Sequence, residues 1–315
     1  MTILGLGWVT PLGRDPAAVW QAIRAGEAPP TTTLESPFTG RSFPVRRVDP
    51  ATIEDVARQP RLRRSSLISH FAVAAALDAR RDAGLQPDPA RLGLVFATTN
   101  GGVIYTRRFF EGVAQSGAHA GSPLLFPETV YNAPASHVAA ALGITGEIET
   151  LVNDATAGID ALATAADLLA VGACDHCLVV TAEEADWAIC EGHRTWKIAP
   201  VFAEGACALL LGRGGASVEV VEVSRSAALP SSDHARDEIS RLAPEKLILA
   251  SANIDETFWP DSRVLSPQAV LGEAFAAGAL TQIACAVLAL RENPGRALVP
   301  VVGAHGQVAA AVLQS

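Results

Sequence analysis

The chain has 315 residues, of which 49% are apolar and only 5% aromatic, and its formal net charge is −9. That length serves one large α/β unit or two fused halves, with a core packed from small aliphatic side chains. The acidic balance excludes a nucleic-acid surface, which needs a basic face, and fits an ordinary cytoplasmic protein.

TILGLGWV at 2–9 reads as a buried strand, and Pro11-Leu12-Gly13 turns it into a helix at 15–25. The opening residues are apolar but lack a basic n-region, so no targeting segment is expected. Residues 65–85 form a long amphipathic helix, with Ser65 or Ser66 as cap and Gly84 as stop. RLGLVFATT at 91–99 is a strand broken by Asn100-Gly101-Gly102, and a short helix follows at 106–117. Residues 122–143 are a proline-punctuated loop running into a helix. A strand at 147–152, a tight turn, a helix at 157–172 and a strand at 177–183 come next. ACALLLG at 206–212 is another buried strand.

A second series begins at Val218: a strand to Val223, a helix near 234–243, a strand at 247–251, a helix near 271–292, and strands at 298–302 and 308–313. Continuous apolar strands alternating with helices specify parallel-rich sheets covered on both faces. With no long linker, the chain divides into halves 1–215 and 216–315 of one compact unit. The Ala-rich stretch at 157–173 is interrupted by Asp160 and Asp167 and is too short to span a membrane.

Within this pattern NDATAGIDAL, residues 153–162, is a strand-to-helix elbow. Such a turn exposes its apical side chain at a helix N-terminus, where the dipole favours an anion. The apical residue is Ala155, which has no reactive group. The five cysteines show no disulfide rhythm. Cys174 and Cys177 form a lone CDHC with no second pair for zinc, so structural thiols are expected, with no metal and no cofactor. Arg61, Arg63 and Arg64, and Arg107 with Arg108, are solvated faces or a local landing for an acidic carrier protein.

The order of these motifs resembles the β-ketoacyl synthases, the condensing enzymes of fatty-acid and polyketide assembly. GLGWVTPLG, the helix ending DAGL, LGLVFATTNGG, SPLLFPETVYNAPASHVAAALG and GACDHCLVVTAEEA follow the family order over 1–185. EGACALLLG, LGEAFAAGALTQIACAVLALR and VVGAHGQVAAAVL match more loosely in a shortened second half. The resemblance implies a thiolase-like α/β fold, two similar βαβ-rich halves forming a five-layered αβαβα body. It also places the family's reacting groups: the nucleophilic cysteine at Ala155, the first histidine at Ser251, the second at Gly272 or beside it at Glu273, the supporting lysine at Pro267, and the gating phenylalanine at Ala304. All are replaced at once. Loss of a nucleophile alone costs on the order of 10⁶ in turnover in a hydrolase worked example.

The resemblance therefore implies a catalytically silent subunit of the chain-length-factor kind. Such a subunit pairs with an active ketosynthase and shapes its acyl tunnel, and the acyl carrier protein is met through the partner. The short second half and the GEAFAAG helix resemble the partner subunits of aryl-polyene-type systems. Tyr105, Phe109 and Phe110 are the candidate tunnel residues, at least one of the two phenylalanines facing inward, and His305 is the histidine nearest the elbow by resemblance. Thr156 is expected to bond at its helix start, His137 to bond a neighbouring backbone group, and Asp160 to suit the dipole. His193 and Trp196 fall in a polar insertion. Two other readings stand beside this one: an active acyltransferase with an unrecognised nucleophile, and a homodimeric module that binds acyl chains or carrier proteins.

Overall fold

The computed structural model describes residues 1–194, 201–215, 217–242, 245–251, 254 and 256–315. The first half runs β1 (Thr2–Val9), α1 (Pro16–Ala25), β2 (Thr32–Glu35), β3 (Ser42–Arg46), α2 (Glu54–Ala57), α3 (Leu67–Ala83), β4 (Leu92–Thr98), α4 (Val103–Ser116), α5 (Ala133–Leu142), β5 (Ile148–Val152), α6 (Ala157–Ala170), β6 (His176–Glu183), α7 (Trp187–Arg194), β7 (Phe202–Ala203) and β8 (Gly205–Gly212). The second runs β9 (Glu219–Val223), β10 (Ala227–Ala228), α8 (Ser232–Ser240), β11 (Leu247–Leu249), β12 (Arg263–Leu265), α9 (Pro267–Leu271), α10 (Phe275–Glu292), β13 (Arg296–Val302) and β14 (Gln307–Gln314).

The strands line up as β12-β11-β13-β14-β9-β1-β8-β6-β4-β5, and a single residue pair, Thr2 with Glu219, joins the two fives. Each five repeats one pattern. The first strand pairs antiparallel with the last, the last antiparallel with the fourth, and the inner three are parallel. The first half adds a small sheet of β2, β3 and β7. That hairpin and β12 have too few apolar residues to be read from the sequence.

Strand alternation builds the layers. Odd positions of β8 (Cys207, Leu209, Leu211) and β13 (Val299, Val301) face one shared core with α6 and α10. Even positions of β8 (Ala206, Ala208, Leu210) face α3 and α5. Leu298 and Val302 face α8. The result is five layers: α3 and α5, the first sheet, α6 with α10, the second sheet, then α8. By length and composition α10 could cross a bilayer, but it is the middle-layer helix.

Small residues permit this spacing. A Cβ on Gly7 would lie 2.3 Å from the Ala75 carbonyl oxygen in α3, and one on Gly158 would lie 2.8 Å from that of Ala276 in α10. Buried carboxylates cap the helices that end at the same edge. Glu128 accepts the Ser66 N–H and places negative charge at the start of α3, and Glu184, whose carboxyl burial pushes up to about 8, accepts the N–H groups of Ile68 and Ile104 at the starts of α3 and α4. Gly84 ends α3 in the left-handed conformation, as its position predicts.

Three stretches differ from expectation. Residues 190–194, read as part of a polar insertion, belong to helix α7. The helix expected over 271–292 is broken after Leu271, and α10 restarts at Phe275 with φ 46°, the only non-glycine positive φ among the described residues. The helix expected near 234–243 runs from 232 to 240. Gly7→Ala should lower unfolding free energy by about 1–3 kcal/mol, because the added methyl meets backbone that cannot move aside; urea denaturation measures it.

Candidate functional site

The elbow joins β5 to α6 and puts Ala155 at the first turn, with its methyl nearly enclosed. Asp154, 6% exposed, turns toward the loop between β13 and β14. Its Oδ1 accepts the N–H of Ala155 at 2.5 Å and of Ala304 at 3.1 Å. Its Oδ2 accepts the N–H of His305 at 2.8 Å and lies 3.2 Å from His305 Nδ1. Thr156 does not cap its own helix; its hydroxyl donates to Gln307 Oε1 at 3.0 Å. Asp160 accepts from Asn153 and from the Ser226 N–H and hydroxyl, a second tie between the halves.

Around the elbow stands a set of polar groups. Glu183, at the end of β6, accepts from the Thr98 hydroxyl, the Thr99 and Asn100 N–H groups and the Asn100 amide. Burial outweighs these four donors and pushes its carboxyl up to about 7. Glu273 accepts the N–H of Phe275 and pairs with Gln268; burial, with repulsion from Asp154 and Glu183, pushes it to about 7 as well. His193 shares a 2.9 Å hydrogen bond between Nε2 and Asn100 Oδ1. Its ring centroid lies 4.4 Å from that of Phe275 and 6.5 Å from that of His305. Burial, with the nearby His305, lowers its pKa and favours the neutral ring.

The positions nominated from the sequence are spread around this set. Ser251 is buried behind the closing loop, accepting the Val302 N–H at 3.2 Å. Gly272, at φ 92°, packs on Ala203 and the backbone of β7, and Pro267 opens α9. Besides Ala155, Ala304 and His305 are the nominated positions that share hydrogen bonds with the elbow acid. Tyr105, Phe109 and Phe110 lie on α4, which has no fully buried residue. The Tyr105 hydroxyl donates to the Ser65 carbonyl. Neither phenylalanine enters the core: Phe110 is 59% exposed, and Phe109 packs half-buried against Phe110 and Phe126.

His137 bonds a carboxylate and not a backbone group: its Nε2 is 2.6 Å from Glu128 Oε1. Arg107 is held by Asp186 and Glu111, which removes it from a carrier-docking patch. Cys174 and Cys177 are buried free thiols that share a hydrogen bond, and among the described residues no cluster of three His, Cys, Asp or Glu side chains could hold a metal. Trp196 lies outside the described residues.

The model of the β-ketoacyl synthase N-terminal domain matches residues 1–199. The chain belongs to the β-ketoacyl synthase family. Among curated members it is similar to 3-oxoacyl-[acyl-carrier-protein] synthase 2 of Coxiella burnetii, 28% identical over 181 residues that cover 54% of this chain and 42% of that one. The matched segment thus spans less than half of that synthase. In three dimensions the fold is that of solved ketosynthases across the whole chain. It superposes on the ishigamide ketosynthase/chain length factor with a TM-score of 0.83 at 20% identity, covering 99% of this chain and 98% of that one. It also superposes on a structure of the ketosynthase ApeO in complex with its chain length factor ApeC from Xenorhabdus doucetiae, with a TM-score of 0.79 at 14% identity, covering 99% and 97%.

Within this synthase fold, the elbow of the chain offers hydrogen-bond donors and titratable groups but no thiol. The hydroxyls on the adjoining turns are engaged: Thr156 donates to Gln307, and Thr99 accepts the Ala276 N–H. Sequence reasoning missed three of the groups. His193 had no signal, because nothing in a polar stretch of about two helical turns marks that one side chain for the elbow. Glu183 lay in a strand whose pattern says nothing about the turn beyond it. Asp154 did carry a signal, an acid beside a helix N-terminus.

Glu183 and Glu273 are raised above the ordinary carboxylate value of about 4.3, so over pH ~4.5 to 7 the native state binds more protons than the unfolded one. Stability contributed by the protonated groups is therefore present at low pH and lost as pH rises through that window. The unfolding free energy of Glu183→Gln should fall less steeply between pH 5 and 7 than that of the parent chain, as measured by urea titration at each pH.

Proposed function

We propose that the chain is a ketosynthase-like subunit that forms no carbon–carbon bond itself. It pairs with an active ketosynthase in fatty-acid or polyketide assembly and contributes to the wall of that partner's acyl tunnel. The carrying observation is the elbow: a methyl group, Ala155, stands where a synthase needs a thiolate to accept the acyl chain. Neither Ser251 nor Gly272 can replace the imidazoles that would polarise a malonyl carbonyl.

Support for pairing comes from the strand that leads into that elbow. Among the described residues β5 pairs only with β4, so its outer edge is open, and Ile148 and Val152 on it are exposed. An open edge with apolar side chains is a template for another chain. Phe110, Leu124, Phe126 and Tyr131, all at least half exposed, extend the apolar surface on α4 and the segment after it. A tunnel wall contributed across an interface leaves such rings uncovered in the separate chain, which is the state of Phe110, with Phe109 half-buried beside it. The carrier protein docks on the partner in this scheme, consistent with the net charge of −9 and the neutralised Arg107.

The test is co-expression with a ketosynthase that holds a cysteine and two histidines, followed by sizing and subunit mass. A 1:1 heterodimer is expected. Ile148→Lys with Val152→Lys should weaken it at least about tenfold while leaving the melting temperature of the separate chain nearly unchanged, since both residues are nearly half exposed on an open edge. A stable homodimer that never exchanges with a synthase would overturn the pairing and favour the homodimeric binding module.

A further inference from the structure

The elbow carries no thiol at its apex, and it holds an occupant. The N–H of Ala155 comes from the start of α6 in the first half. The N–H of Ala304 comes from the closing loop of the second. Both point at one oxygen, Asp154 Oδ1. Two backbone donors from separate elements converging on one oxygen is the geometry that stabilises a carbonyl as it becomes an oxyanion. Here a carboxylate of the chain itself receives them. The other oxygen is held by the N–H and ring of His305.

The fit is tight as well as polar. A Cβ on Gly303 would fall 2.3 Å from Asp154 Oδ2 and 2.4 Å from its Cγ, so the loop can approach the carboxylate only without a side chain there. The ring of His193 stands between those of Phe275 and His305, 4.4 Å from the first and 6.5 Å from the second, and burial with the charges of Asp154 and Glu183 disfavours ionisation of Glu273.

We propose that Asp154 is a positioning residue that fills the anion pocket of the elbow from within, clasping the closing loop and shutting out the carbonyl of an acyl thioester. A nucleophile restored at the apex would then still lack an anion pocket. The inference rests on placing Ala155 and Ala304 at the reactive elbow, and it stands whether or not a partner synthase is found.

The test compares Ala155→Cys with Ala155→Cys/Asp154→Ala in single-turnover reaction with hexanoyl-N-acetylcysteamine, followed by intact mass. The introduced thiol gives up its proton and its sulfur attacks the hexanoyl carbonyl. A new C–S bond forms as the donor's C–S bond breaks, and N-acetylcysteamine leaves with a proton. Iodoacetamide alkylation of the same variants is the reference, because it needs an accessible thiolate but no anion pocket. Removing the carboxylate should raise acylation relative to alkylation by on the order of 100-fold, the effect of oxyanion donors elsewhere. Equal ratios would overturn the proposal, since improved access or a loosened loop would speed both reactions alike.

Should the double variant not fold, hydrogen exchange on the unaltered chain decides. The amides of Ala155, Ala304 and His305 should be protected by on the order of 100-fold against free-chain rates. Exchange at free-chain rates would overturn the clasp.

Discussion

One carboxylate, Asp154, takes hydrogen bonds from the start of the central helix of the first half and from the last loop of the second. It is nearly buried, and a buried carboxylate is tolerated only when donors surround it. Four are present, three of them backbone N–H groups, which are fixed in direction. The elbow and the closing loop are therefore held together by charge-assisted bonds of about 1.5–3 kcal/mol each. Breaking the set leaves an unpaired charge between the halves. Thr156 with Gln307 and Asp160 with Ser226 repeat the same connection on either side.

The clasp can form because the two halves are near copies that pack closely. Each supplies a five-stranded sheet of the same order, and between them lie α6 and α10, which meet through Gly158, Ala276 and Ala279. Interiors at this density leave no room for an added methyl. The positive φ of Phe275 follows from the same arrangement: α10 begins where the chain must leave α9, pass Gly272 and place Glu273 against the elbow, and the strain of one residue is borne by its burial against Phe202 and His193.

Most of the framework was legible in the sequence, for a physical reason. β4, β6, β8 and β13 are buried on both faces, so they read as unbroken apolar runs. α1 and α3 carry stops at Gly26 and Gly84 that only glycine suits. The hairpin of β2 and β3 escaped because its exposed residues, among them Thr32, Thr33 and Ser42, carry no apolar period. The site was half legible. Ala155 and Ala304 could be placed from the order of motifs, and His305 lay beside them. His193 and Glu183 could not, since they reach the elbow only through tertiary contacts with Asn100 and Phe275. The direction taken by the Asp154 side chain is a property of the closing loop, 150 residues away along the chain.

In the proposed role this chain shapes a condensing reaction and takes no covalent part in it. The direct measurement is the intact mass of each subunit after a copurified pair is mixed with an acyl-carrier thioester. The account predicts an acyl increment on the synthase and an unchanged mass for this chain. A covalent acyl group found on this chain would contradict it.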